Sequence, residues 1–246
     1  MSEIKIIRSS LFEKYPEIIF GFSTKPGGLS PEPFCMNLSN SVGDDPENVK
    51  ENRKLFFSKL GVNENNVTFQ KQIHSSIINY SSKPCHFDGC DAIYTDVKHN
   101  FLAVGVADCI PVFLYDPERK VIAGIHSGWL GTKEKILTKT IYELIKKFNT
   151  DPSYLISYIG PGICQEHYEV GEEVGILFEE NIRYKSGEKY YLDLKKDNFN
   201  QLLLAGLKIE NIEISDLCTY KEKDLLHSYR RDGVRSGRMF GVIGMI

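Results

Sequence analysis

The spacing of apolar residues along the chain predicts most of its strands. Three dense apolar runs, rich in valine and isoleucine, cover residues 101–107, 112–115 and 121–125 and are separated by turn residues. Such runs are typical of strands buried on both faces at the centre of a sheet. Shorter apolar segments predict further strands at residues 18–23, 67–73, 77–80, 155–159, 209–214, 226–229 and 239–246.

Apolar residues at helical spacing predict four helices. The clearest covers residues 132–148, where one face stays apolar along the whole segment. Residues 46–60 are expected to form another, because Asp45 can cap a helix whose first position is Pro46. Two further helices are predicted at residues 171–181 and 197–207.

The order of these elements indicates the fold class. Strands come in groups between helices, which favours an α+β fold with mixed sheets over a doubly wound fold. No repeat, low-complexity tract or long linker interrupts the sequence, so residues 1–246 are expected to form a single domain. The chain has neither a G-x-G-x-x-G motif nor a P-loop lysine motif, so nothing supports a bound dinucleotide or P-loop chemistry.

Composition narrows the class of protein further. The net charge is −3 and no basic run is present, which argues against nucleic acid as the main partner. No apolar run reaches the roughly 18 residues that a membrane span needs, and the first residues do not resemble a signal peptide. Six cysteines without an export signal are expected to be reduced thiols. We therefore expect a soluble cytoplasmic protein.

Three residues that follow predicted strands form a candidate metal site. His126 follows the strand at 121–125, Cys109 follows the strand at 101–107, and His74 closes a third extended segment. Two imidazoles and one thiolate are the donor set of a catalytic zinc site, in which the fourth position stays open for water. Structural zinc sites use closely spaced ligand pairs, so the scattered positions of these residues favour catalysis if a metal is bound.

The same residues leave another chemistry open. Cys109 could act as the nucleophile of a cysteine hydrolase, with His126 or His74 as its base and no metal between them. Two other groups have spacings that could chelate a metal, namely Cys164 with His167 and the loop cluster Cys85, His86 and Cys90. Neither has a second tight pair to complete a site, so both are interpreted as structural or incidental.

A series of short motifs, in order along the chain, resembles the YfiH-type family. The resemblance covers residues 20–243, and a dozen ordered matches are more specific than any one of them. The motifs include Gly21-Phe22-Ser23-Thr24, Gln72-Ile73-His74, Asp91-Ala92-Ile93-Tyr94-Thr95, Ala107-Asp108-Cys109, His126-Ser127-Gly128-Trp129, Tyr168-Glu169-Val170-Gly171 and Ser228-Tyr229-Arg230-Arg231-Asp232-Gly233.

The resemblance implies a fold, a cofactor and an activity. Members of this family have been labelled laccase-like polyphenol oxidases and are now regarded as zinc-dependent purine nucleoside phosphorylases. It implies a mixed β-sandwich core flanked by helices, with His74, Cys109 and His126 as metal ligands. It also implies phosphorolysis of adenosine, inosine and methylthioadenosine, deamination of adenosine, and a link to peptidoglycan editing. Leu130 stands where the family often has arginine, which leaves phosphate affinity open.

Phosphorolysis requires a held phosphate, and several residues are candidates to bind it. The turn that begins at Gly128 precedes a predicted helix whose first backbone N–H groups would face an anion. Arginine forks match phosphate geometry, which makes Arg53, Arg230 and Arg231 candidate partners. Asp108, next to the thiolate ligand, is a candidate acid or base.

Two further functions remain as alternatives to a zinc phosphorylase. One is a copper-dependent polyphenol oxidase, although six histidines with no H-x-H pair are few for a multicopper enzyme. The other is a hydrolytic or non-catalytic editing factor that acts on peptidoglycan precursors. The sequence alone does not decide the preferred nucleoside, the oligomeric state or the protein partners.

Overall fold

The computed structural model of the protein describes residues 3–246, and these contain fifteen strands in three sheets. In chain order the strands are β1 (Ile6–Ile7), β2 (Ile18–Ser23), β3 (Val67–Lys71), β4 (Ile78–Tyr80), β5 (His86–Asp88), β6 (Ala92–Thr95), β7 (Phe101–Val106), β8 (Ile110–Asp116), β9 (Val121–Ser127), β10 (Ile156–Ile159), β11 (Glu169–Val170), β12 (Arg183–Ser186), β13 (Lys189–Leu192), β14 (Ile212–Ile214) and β15 (Met239–Met245).

Six α-helices lie between the groups of strands in residues 3–246. They are α1 (Pro46–Leu60), α2 (Trp129–Lys133), α3 (Ile136–Phe148), α4 (Glu172–Gly175), α5 (Leu194–Leu204) and α6 (Tyr229–Asp232). Within this range, none of the helices combines the length and the apolar composition that crossing a membrane requires.

Both large sheets mix parallel and antiparallel pairs. The first has the order β1-β2-β15-β7-β3-β5, and the second has the order β14-β10-β8-β9-β6-β4. In the first sheet β7 pairs antiparallel with β15 and parallel with β3. In the second, β10 pairs antiparallel with β8 and parallel with β14. The third sheet is small and has the order β11-β13-β12.

The two large sheets stack face to face, and helices cover their outer faces. Phe20 of the first sheet meets Phe113 of the second edge to face, with ring centroids 5.1 Å apart. Phe57 of α1 is buried on the outer face of the first sheet, and Leu137 of α3 is buried on the outer face of the second. Apolar burial is the main force that holds such layers together. The predicted α+β fold with a sandwich core is thereby confirmed.

The central strands appear where the apolar runs predicted them. The three dense runs correspond to β7, β8 and β9, and β9 continues two residues further than predicted, to Ser127. His126 therefore lies inside its strand and not beyond its end. Of residues 209–214, only Ile212–Ile214 form a strand, because Ile209–Asn211 form a 3₁₀ turn.

Two of the four predicted helices are confirmed with at most a small shift. α1 has the predicted bounds, and the Asp45 carboxylate accepts a hydrogen bond from the Glu47 backbone N–H at 2.9 Å. The side chain of Asp45 thus satisfies one of the N–H groups left free at a helix start. α5 begins at Leu194, three residues before the predicted position, and ends at Leu204.

The helix predicted at residues 132–148 is divided into two. α2 begins at Trp129 and ends at Lys133, and α3 then begins at Ile136. Lys135 between them has left-handed backbone, with φ 58°, and so cannot continue a right-handed helix. α2 has only five residues and sums few peptide dipoles, which weakens the expected attraction of phosphate to its N-terminus.

Two predicted elements are wrong. Residues 171–181 contain only the four residues of α4, because Ile176 and Leu177 remain exposed and supply no buried face for a longer helix. Residues 226–229 form no strand. There the Ser228 hydroxyl accepts a hydrogen bond from the Arg231 backbone N–H and caps α6 instead.

Candidate metal centre

The structure brings His74, Cys109 and His126 together. One ligand atom of each lies within 4.8 Å of the other two. The Cys109 Sγ is 3.9 Å from the His74 Nε2, and the two imidazole rings meet edge to face with centroids 5.0 Å apart. His126 is buried, Cys109 is partly exposed and His74 is exposed, so the group opens to solvent on one side.

Strand pairing explains why these residues meet. His126 of β9 lies opposite Pro111 of β8, two residues after Cys109 in the turn that joins β7 to β8. His74 lies in the connection from β3 to β4 and has left-handed backbone, with φ 59°. Three positions far apart in sequence are thus fixed by sheet register and by one turn.

A buried carboxylate, that of Asp91, organises two of the three residues. Asp91 Oδ1 accepts hydrogen bonds from the His126 ring at Nδ1 (2.8 Å) and from the His74 backbone N–H (3.1 Å). Its other oxygen accepts from the backbone N–H and the hydroxyl of Ser75, at 2.6 and 2.7 Å. A carboxylate that accepts a hydrogen bond from Nδ1–H keeps the proton on Nδ1 and leaves Nε2 of His126 free to bind a metal, as in carboxylate–histidine–metal triads.

Each charged group of the centre stabilises the charged form of its neighbours. Burial alone would raise the pKa of Asp91, but hydrogen bonds from His126 and Ser75 hold it at about 2. Burial also raises the pKa of Cys109, yet His126 and His74 beside it bring the value down to about 6. The thiolate and Asp91 in turn overcome the burial of His126 and raise its pKa to about 9. Cys109 is therefore a thiolate at neutral pH, the form that binds metals and attacks electrophiles.

Gln72 fastens the His74 segment to the first sheet. Its side-chain amide donates to the Gly105 carbonyl at 2.6 Å and accepts from the Gly105 N–H at 2.8 Å. The Gln72 side chain thus makes with Gly105 of β7 the pair of hydrogen bonds that the backbone of a neighbouring strand would otherwise make. Since Gln72 lies two residues before His74, this clamp restricts where the imidazole can stand.

Gly128 lies directly against the centre. A Cβ atom at this position would stand 3.1 Å from the Cys109 Sγ, 3.2 Å from the His74 Cδ2 and 3.9 Å from the His126 Cε1. Both of the shorter distances are tighter than ordinary van der Waals contact. The absence of a side chain at residue 128 therefore lets the backbone pass close to all three functional groups.

Four polar residues surround the centre, and two of them were not predicted as site residues. Asp108 accepts hydrogen bonds from the Thr219 hydroxyl and from the Arg230 backbone N–H, both at 2.6 Å. Arg230 stacks over the ring of Tyr168. The pKa of Tyr168 is raised by burial and then by the Cys109 thiolate, and that of Arg238 is lowered by burial against the opposing effect of Asp108 and Cys109. Tyr168 belongs to one of the family motifs, whereas no sequence pattern pointed to Arg238.

The other predicted phosphate ligands have different partners. Arg53 donates to the Leu38 carbonyl, pairs with Glu64 and lies over the rings of Phe69 and Phe240. The Arg231 guanidinium donates to three backbone carbonyls, those of Thr219, Tyr220 and Leu226. Both guanidinium groups thus hold the fold together, and their binding of phosphate stays a prediction.

The fold and the centre define a class of protein: a helix-flanked β-sandwich with a candidate metal site of two histidines and a cysteine. A family model described as "Multi-copper polyphenol oxidoreductase laccase" matches residues 19–246. The Bacillus subtilis protein named purine nucleoside phosphorylase YlmD is 32% identical, over 93% of this chain and 89% of its own. The Deinococcus radiodurans protein named purine nucleoside phosphorylase is 36% identical, over 91% and 88%.

A solved structure agrees with the sequence matches. The crystal structure of the Bacillus licheniformis hypothetical protein YfiH superposes with a TM-score of 0.91 at 31% identity, and the match covers 95% of each chain. The chain belongs to the YfiH family, which confirms the resemblance seen in the sequence.

Proposed function

We propose that the protein is a zinc-dependent purine nucleoside phosphorylase. It would convert adenosine, inosine or methylthioadenosine and phosphate into the free base and a pentose 1-phosphate. The observation that carries this proposal is the convergence of His74, Cys109 and His126 at an opening of the fold, with Asp91 orienting His126. The names of the Bacillus subtilis and Deinococcus radiodurans relatives support the reaction class.

The donor set fits zinc. Two imidazole nitrogens and a thiolate, with a carboxylate behind one imidazole, are the ligand types of catalytic zinc sites that keep one position open. A zinc ion held there by His74, Cys109 and His126 would supply Lewis-acid chemistry to the substrate. Gly128 keeps the space beside the three ligands free of a side chain.

We assign different parts of substrate binding to different residues around the centre. We assign phosphate to Arg230, and two contacts support this: its backbone N–H donates to Asp108, and its guanidinium lies over the ring of Tyr168. Arg238 is the second candidate cation, because the charges of Asp108 and Cys109 favour its protonated form. Asp108 then acts by positioning Arg230, because both of its oxygens already accept hydrogen bonds. Cationic forks beside the reacting phosphate stabilise the charge that develops there.

Adenosine deamination is the second activity that we propose for the same centre. Adenosine and water would give inosine and ammonia, with no need for phosphate. The reaction therefore differs from phosphorolysis in its dependence on phosphate, and this difference separates the two in one assay. Both reactions use nucleosides of the cytoplasm, where we place the enzyme, and only phosphorolysis also uses phosphate. We treat the chain as one functional domain.

Two alternatives each have one supporting observation. The description of the matching family model favours a copper-dependent polyphenol oxidase. The low pKa of Cys109 beside His126 favours a cysteine hydrolase, including an editing factor that acts on peptidoglycan precursors. The oxidase needs copper and oxygen, and the hydrolase needs no metal. Metal content and product identity therefore distinguish all three functions.

The test is product analysis on protein purified without added metal. We expect bound zinc, release of adenine or hypoxanthine only when phosphate is present, and formation of inosine from adenosine without phosphate. His126→Ala should abolish both reactions, whereas His86→Ala, which changes an exposed histidine outside the centre, should leave them unchanged. Full base release by His126→Ala, or oxidation of a phenol by the copper-loaded protein with no nucleoside turnover, would contradict the proposal.

A further inference from the structure

A second cluster of soft metal ligands lies apart from the centre of His74, Cys109 and His126. One ligand atom each of Cys164, His167 and Cys218 lies within 4.8 Å of the other two. The Cys164 Sγ is 3.2 Å from the His167 Nδ1 and 2.6 Å from the Cys218 Sγ. The sequence shows only the C-x-x-H pair, and Cys218 supplies the third donor that the spacing lacked.

Local backbone structure aims these side chains at one another. Cys164 precedes a 3₁₀ turn, Gln165–His167, whose last N–H donates to the Cys164 carbonyl at 3.1 Å. This turn places the thiol and the imidazole on the same side. The ring of His167 is held by stacking on Tyr220, with ring centroids 4.4 Å apart and planes 20° from parallel. The C-x-x-H pair is thus ordered before any ion arrives.

Long-range pairing brings the third donor to this turn. The backbone at Cys218 forms an isolated parallel bridge with Gly162. The Cys164 backbone N–H then donates to the Cys218 Sγ at 3.2 Å, so that the second sulfur faces the first. Cys218 is buried, whereas Cys164 and His167 are partly exposed, so an ion could reach the cluster from the side of the turn.

We propose that Cys164, His167 and Cys218 form a second transition-metal site, which binds zinc. Two sulfur donors and one imidazole exclude magnesium and calcium, which prefer oxygen, and they suit zinc or another soft ion. With Zn–S bonds of about 2.3 Å, two thiolates on one tetrahedral ion stand about 3.8 Å apart. The sulfurs must therefore move apart by about 1.2 Å, which rotation of the partly exposed Cys164 side chain provides.

The position of this site gives it a structural role. The segment that carries Cys218 continues into Thr219, whose hydroxyl donates to Asp108, and the Ile163 N–H donates to the Asp108 carbonyl. An ion that joins Cys164 to Cys218 would thus tie together the two segments that hold the residue before Cys109. Glu166 hydrogen-bonds to the Cys164 thiol and is a candidate for the fourth position.

Metal counting tests the site independently of the proposed reaction. The protein is stripped of metal under reducing conditions and titrated with zinc or cobalt, and bound metal is measured per chain. We expect two equivalents for the wild type and one equivalent for Cys218→Ser, for His167→Ala and for His126→Ala. The cobalt form of His126→Ala should keep the sulfur-to-cobalt absorption of a site with two thiolates. Cys85→Ser, which removes a cysteine outside both clusters, should still bind two.

The outcomes separate this proposal from others. Bound zinc that stays at the wild-type level in both Cys218→Ser and His167→Ala, whether that level is one equivalent or two, would overturn it. A thiol count of four in the denatured wild type as isolated, against five in Cys218→Ser, would show that Cys218 forms a disulfide and would also overturn it. Cys218 is buried, so Cys218→Ser can lose zinc through misfolding. His167→Ala is the control for this, because His167 lies on a partly exposed turn. Loss of nucleoside turnover alone would bear on the proposed function and not on this site.

Discussion

Replacement of Asp91 by asparagine should weaken metal binding although it removes no ligand. Asp91 Oδ1 faces donors from His74 and His126, and its Oδ2 faces two donors of Ser75. Asparagine has an oxygen on one side only. If its amino group faces His126, the imidazole proton must move to Nε2, the nitrogen that the metal needs. In the other orientation, the Ser75 donors lose their acceptor. Loss of such an outer partner typically lowers metal affinity about 10- to 100-fold, which corresponds to about 1.4 to 2.7 kcal/mol.

Competition with a chromophoric chelator measures this loss directly. Asp91→Asn should bind zinc about 10- to 100-fold more weakly than the wild type at neutral pH. Asp88→Asn, in which the acid that changes is exposed, should match the wild type. Because the two centres would both contribute, the titration is run on the Cys218→Ser background. An unchanged affinity in Asp91→Asn would show that His126 needs no carboxylate to orient it, and the role assigned to Asp91 would then be wrong.

Three further substitutions test other parts of the structure. Gly128→Ala places a methyl group 3.1 Å from the Cys109 Sγ. Overpacking costs about 1 to 3 kcal/mol, which should lower zinc affinity about 5- to 150-fold. Unchanged zinc binding in the same chelator assay would show that this contact does not constrain the centre. Arg230→Ala should raise the KM for phosphate about 10- to 100-fold, the value of a charge-assisted hydrogen bond, with the KM for nucleoside little changed in steady-state kinetics. Hydrogen bonds from Lys120 and Tyr115 lower the pKa of Glu17 to about 2, so its stabilisation is complete above its ordinary pKa and is lost as pH falls towards 2. Glu17→Gln should therefore be less stable than the wild type in urea unfolding at pH 6, and the difference should be smaller, but still present, at pH 3.

The sequence predicted the centre of the fold better than its periphery. β7, β8 and β9 are buried on both faces, so their apolar runs carry a strong signal. The strands β11, β12 and β13 were not predicted, because Arg183–Ser186 and Glu169–Val170 are polar or only half-buried. The boundary between α2 and α3 depends on the left-handed backbone of Lys135. A lysine in a sequence gives no indication of this conformation.

Asp91 was part of a recognised motif, yet its role could not be inferred from the sequence. Its side chain reaches His126 because β6 pairs antiparallel with β9, and it reaches His74 because β4 lies parallel to β6. Neither pairing follows from the residues themselves, since both depend on which strands become neighbours. The ligands can be recognised by residue type, whereas the carboxylate that orients them is recognised only by position.

Local and long-range structure contribute differently to the two candidate metal clusters. In the second cluster, one short turn places Cys164 and His167, and a bridge between Gly162 and Cys218 brings the last donor from 54 residues away. In the first, no two ligands share a turn, so sheet pairing must bring all three together. A site built only from long-range pairing loses its ligand geometry when the sheets separate. A site with one local pair can retain part of its geometry in a partly folded chain. Metal bound early in refolding should therefore reside at the second cluster, and the first should fill only after the sandwich has closed.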